Sequence, residues 1–101
     1  MPTAYVTAPR DAASELAAAL IEERLAACVN VVDCHSTYRW DGEITRKEPE
    51  AILLAKTTDE RYPALEAYVA DEHPYDLPCV ERFDTADTLD VFGAWIADEV
   101  R

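Results

Sequence analysis

The chain has 101 residues, half of them hydrophobic and only two of them glycine, which bounds it to one globular domain and excludes a low-complexity or disordered chain. Its 9 basic residues are outnumbered by 21 acidic ones, for a net charge of −12. That argues against nucleic acid, because neutralising phosphates needs clustered Lys and Arg.

Thr3 to Thr7 reads as a short first strand, ended by Pro9-Arg10-Asp11. Asp11 is the expected N-cap of a helix from Ala12 to Ala27, where Leu16, Leu20 and Ala27 give a narrow apolar stripe suited to close packing on a sheet. A second strand is expected from about Cys28 to Trp40. Asp41-Gly42 then accepts the positive φ angles of a type I′ hairpin turn, and the return strand runs from Glu43 to Thr57. Each arm would be ~40 Å long at strand rise, whereas a compact domain of this length has a radius of gyration of only ~13 Å. The hairpin should therefore overhang its own core, and an overhanging strand edge wants a partner. Pro49 cannot donate a ladder hydrogen bond, so a bulge or bend is expected there. It would separate a buried inner half, Ala51-Ile52-Leu53-Leu54-Ala55, from a projecting outer half, Glu43 to Lys47.

Thr58 or Asp59 is the expected cap of a second helix reaching about Glu72, with Pro63 distorting its first turn or starting its main body. His73-Pro74-Tyr75-Asp76-Leu77-Pro78 is a rigid connector, since each proline biases its predecessor away from helix. Cys79 to Phe83 forms the fourth strand. Asp87 then caps a last amphipathic helix carrying Leu89, Phe92, Trp95 and Ile96. The order is β-α-β-β-α-β followed by a helix: a ferredoxin-like α+β sandwich with a long hairpin between its second and third strands. No apolar run is long enough to span a bilayer, and Met1-Pro2-Thr3 leads into Ala4-Tyr5-Val6 without the regions of a signal peptide, so the expected compartment is the cytoplasm. The acidic residues read either as a solvated coat of the halophilic kind or as a cation-attracting surface.

Four segments carry a family resemblance in order: Glu23-Arg24-Leu25-Ala26-Ala27-Cys28-Val29-Asn30, Tyr38-Arg39-Trp40-Asp41-Gly42-Glu43-Ile44, Lys56-Thr57-Thr58 and His73-Pro74-Tyr75-Asp76-Leu77-Pro78. Together they cover nearly the whole chain, and it closely resembles the CutA family of divalent-cation tolerance proteins. The resemblance implies a ferredoxin-like subunit in a tight homotrimer, with strand pairing between subunits like that of the PII signalling proteins. It also implies a role in tolerance to copper and other divalent cations, and copper binding. The chain departs from the family pattern at Cys79, where a carboxylate is frequent, at Cys34-His35, usually small or apolar, and at Pro49, within a usually acidic stretch.

Copper favours imidazole and thiolate donors, so Cys28, Cys34, Cys79, His35 and His73 form the inventory. Adjacent strand residues point to opposite faces, which keeps Cys34 and His35 from one ion, and Cys28 and Cys34 lie ~20 Å apart along their strand. A multidentate site must then be assembled between elements or between subunits. The metal candidates are His73, Cys28 and Cys79, each with a plainer alternative. Cys28 reads equally as a small buried hydrophobe, and His73 as a group favoured at a helix C-terminus. Cys79 stands at a strand start, easier to reach than its middle. Tyr38, Arg39, Trp40, Lys56 and Tyr75 are candidates for an intersubunit cleft, where the cations suit a small anionic ligand; packing and surface salt bridges are the alternative roles.

Three functions follow. The first is a homotrimer that binds copper or other divalent cations in metal tolerance, and the second a PII-like sensor holding a small anionic molecule in its cleft. The third, a hydrolase with Cys28 as nucleophile and His73 as base, has no catalytic motif behind it, so no enzyme activity and no organic cofactor are expected.

Overall fold

A computed structural model describes residues 1–101. Its elements are β1 (Pro2–Pro9), α1 (Arg10–Glu22), β2 (Cys28–Trp40), β3 (Glu43–Lys56), α2 (Tyr62–Glu72), β4 (Val80–Asp84) and α3 (Asp90–Glu99). The four strands form one sheet in the order β2-β3-β1-β4, and every neighbouring pair is antiparallel. This is the ferredoxin-like α+β architecture expected from the element order.

Alternation along the strands decides where the core sits. Ala4, Val6 and Ala8 of β1 lie opposite Ala55, Leu53 and Ala51 of β3, and all six are fully buried on the helix side of the sheet. Leu16 and Leu20 of α1 and Leu65 and Val69 of α2 close over them. The alanines let α1 approach closely, while leucines fill the space between. The other face carries Tyr5, Val32, Ile52, Leu54 and Phe83, which no helix covers. Val32 and Phe83 are both 47% exposed there, and Tyr5 stacks on Phe83 with ring centroids 5.2 Å apart.

The hairpin turns at Asp41 (φ 51°) and Gly42 (φ 79°), the two positive angles that a type I′ turn requires. Regular pairing runs from Trp40↔Glu43 to Ser36↔Lys47 and resumes at Cys34↔Glu50. Glu48 and Pro49 therefore lie opposite His35 alone: the bulge expected from Pro49. The molecule measures 45 × 26 × 21 Å, elongated because the outer arm has no helix beneath it.

Several boundaries differ from expectation. α1 starts at Arg10, with Pro9 at its N-cap and no capping side chain; Asp11 lies inside its first turn. It stops at Glu22 rather than Ala27, because Arg24 takes a left-handed φ of 56° and the chain turns back. The amides of Leu25 and Ala26 both donate to the Leu20 carbonyl, and Thr57 Oγ1 donates to the Leu25 carbonyl at 2.6 Å. These tertiary bonds bury Leu25 and Ala26 outside the helix. β3 ends at Lys56, one residue early. α2 begins at Tyr62 with Pro63 in its first turn, and Thr58 Oγ1 accepts from the Arg61 amide just ahead of it. β4 starts one residue later than expected, at Val80, and the N-cap of α3 is Leu89 rather than Asp87.

Candidate functional site

The outer arm and the connector between α2 and β4 face each other across a cleft of about 660 Å³, within the size range of small-molecule sites. Ser36, Tyr38 and Trp40 of β2 and Thr45 and Lys47 of β3 form one side, Pro74 to Leu77 with Cys79 the other. Glu50 and Thr7 contribute from the sheet between them.

The connector is held from behind by His73, which ends α2 and is only 8% exposed. Its Nε2 lies 2.7 Å from the Thr7 carbonyl, and its Nδ1 accepts from the Tyr75 amide at 3.0 Å. A carbonyl only accepts and an amide N–H only donates, so both bonds form together only in the Nε2–H tautomer. Pro74 fixes the backbone between these anchors, and Tyr75 reaches forward. Its hydroxyl donates to Glu50 Oε2 at 2.5 Å, a charge-assisted distance. Burial first, then the bond to and charge of Glu50, with Tyr38 and Asp11 adding, push the Tyr75 phenol well above its ordinary range. Lys47 Nζ lies 5.6 Å from the Tyr75 ring centroid, in cation–π range.

Of the cleft residues expected from sequence, Tyr38, Trp40 and Tyr75 come together, with Trp40 51% exposed. Arg39 also borders the cleft, but alternation directs its side chain to the other face, and its guanidinium donates to the Gly42 carbonyl at 3.1 Å. Lys56 lies at the far end of β3, opposite Thr3 and Cys28, beside a separate cavity near Met1 and Phe92. Among the metal candidates, Cys79 lines the cleft and His73 stands behind it with both nitrogens engaged. Cys28, level with Thr3, is removed from the Thr7 level of His73 by four strand residues, ~13 Å. That separation also leaves no nucleophile–base pair between Cys28 and His73. All three cysteines are free, and no group of three or more His, Cys, Asp or Glu side chains within one chain is placed to hold a metal ion. Burial, then Cys79, Cys34 and Glu81, raise the Tyr5 phenol, and the strand register sets Cys34 opposite Glu50 on the uncovered face.

Glu50, Lys47 and Asp76 were not singled out by sequence. One signal was available for Glu50: a carboxylate directly ahead of the five-residue apolar run 51–55 is out of keeping with a buried strand.

A four-stranded antiparallel sheet backed by helices on one face, with a long hairpin overhanging a cleft, places the chain among the small ferredoxin-like α+β proteins. The chain belongs to the family of the CutA1 divalent ion tolerance protein, whose model matches residues 3–99. The divalent-cation tolerance protein CutA of Thermus thermophilus is 39% identical over 95 residues, covering 92% of this chain and 91% of that protein. Its counterpart in Pyrococcus horikoshii is 33% identical over 99 residues, covering 96% and 95%. Among solved structures, the PII-like protein CutA from Nostoc in apo form superposes with a TM-score of 0.95 at 27% identity, covering 100% of this chain and 98% of that one.

Proposed function

We propose that this chain is the subunit of a cytoplasmic homotrimer acting in tolerance of divalent cations, copper among them, with its metal ligands assembled where subunits meet. The observation that carries this reading is the uncovered sheet face. Tyr5, Val32, Ile52, Leu54 and Phe83 form an apolar surface that a monomer would leave in water, with Cys34 on the same face and Cys79 in the adjoining cleft. Within one chain no three such donors are grouped and Cys28 lies far from His73, so a shared site is the arrangement that would let them converge. Analytical ultracentrifugation of the chain should give a trimer. Calorimetry with Cu(II), Cu(I) and Zn(II) should show affinity reduced by Cys79→Ser, Cys28→Ser or His73→Ala. A monomer, or equal affinity in all three variants, would remove the assignment.

A second reading is favoured by the cleft itself: a PII-like sensor that takes a small molecule beside Tyr38, Trp40 and Tyr75. Lys47 supports an anionic ligand there. A thermal-shift screen of organic acids, nucleotides and amines tests it, and a flat screen counts against it.

A further inference from the structure

Glu50 is only 3% exposed, yet no Lys, Arg or His lies within ion-pair distance of its carboxylate. A buried charge is normally paired, because desolvating it alone is costly. One oxygen, Oε2, takes the Tyr75 hydroxyl, while Oε1 takes no donor from its own chain and, since no buried side-chain oxygen is left unpartnered, is open to solvent where Glu50 lines the cleft. Around that opening stand the rings of Tyr38, Trp40 and Tyr75, with Asp76 beside them. A carboxylate with a free lone pair, walled by aromatic faces, is the chemistry that recognises an ammonium group.

The cleft already holds one such group at its edge. The ammonium of Lys47 lies over the Tyr75 ring, yet it makes no ion pair with Glu50. Lys47 thus behaves as a tethered occupant of the aromatic part of the site, leaving the carboxylate part open. We propose that this cleft binds an organic ammonium compound, a primary or secondary amine, with its N–H groups donating to Glu50 Oε1 and its charge over the aromatic rings, displacing Lys47. The proposal rests on the reading of the cleft as a ligand site and reverses the charge first assigned to the ligand. Glu50 opposes an anion at the sheet end of the cleft, whereas Lys47 is free to swing away.

The test is calorimetry on the full chain with n-butylammonium chloride, which copies the head and stem of a lysine, and with sodium butyrate at matched ionic strength. Butylammonium should bind the native chain. It should bind Lys47→Gln on the order of tenfold more tightly, because the competing ammonium is gone. Binding should be lost in Glu50→Gln and weakened in Trp40→Ala, and should that Glu50 variant fail to fold, the Lys47 and Trp40 variants decide. Butylammonium affinity unchanged by Lys47→Gln and by Trp40→Ala overturns the proposal. Binding of butyrate instead, lost in Lys47→Gln, overturns the ammonium assignment while leaving the cleft a ligand site. Absence of binding by both salts, in the native chain and in Lys47→Gln, overturns the proposal and the cleft reading together.

Discussion

Tyr75 couples the connector to the sheet through one hydroxyl, and that hydroxyl satisfies a carboxylate that is almost wholly buried. Tyr75→Phe leaves Glu50 Oε2 without its donor and should cost about 1–3 kcal/mol of stability, read from urea unfolding midpoints. The same bond sets a pH dependence. The phenols of Tyr75, Tyr5 and Tyr62 are all raised above their ordinary 10.0, so the folded chain holds these protons more tightly than the unfolded one. Their contribution is complete below that value and is lost as pH rises through it toward the folded values. The unfolding midpoint should fall as pH rises above about 10, and Tyr75→Phe should flatten the fall. Tyr38, Trp40 and Tyr75 were legible as residues of one cleft because aromatic side chains beside a hairpin turn and a rigid proline segment stand out in the sequence. His73 was legible only as a helix end. Its partner is the carbonyl of Thr7, 66 positions away, a contact that no local pattern encodes.

Elements specified by local chemistry match the sequence reading, and those ended by distant contacts do not. The hairpin is of the first kind, since Asp41-Gly42 alone sets its turn and hence the pairing of Trp40 with Glu43. A Cβ at Gly42 would meet no atom within 4 Å, so Gly42→Ala carries only the conformational cost of φ +79°. We expect about 1 kcal/mol of destabilisation, measured by thermal unfolding, with the cleft intact. The end of α1 is of the second kind. Leu25-Ala26-Ala27 are good helix formers, and the sequence reads straight through them. What stops the helix is Thr57, whose hydroxyl takes the Leu25 carbonyl, and Arg61, whose guanidinium takes those of Arg24 and Glu23. Both partners lie more than thirty positions along the chain, beyond any local signal.

At the scale of the molecule, the fold class was legible because element order suffices for it, whereas the cleft needed the register of two strands. The charge of −12 acts on the whole body at once. Screening should relieve self-repulsion, so between 0.1 M and 2 M KCl the melting temperature should rise by about 5 °C, roughly 1 kcal/mol for a domain of this size. A melting temperature that falls with salt would remove the expectation of a salt-adapted surface. The extra residue at Pro49 has an effect on the same scale. Inside it, the even-numbered residues of β3 share the uncovered face with Glu50; outside it, the odd-numbered Lys47 and Thr45 do. Straightening the strand with both residues kept would present Glu48, Arg46 and Ile44 to the cleft, whereas deleting one of them would pair the other with His35 and leave Lys47 and Thr45 where they are. The bulge thus works as slack in the strand: the loss of one residue there is absorbed on the spot, and the arm beyond keeps the same side chains turned to the cleft.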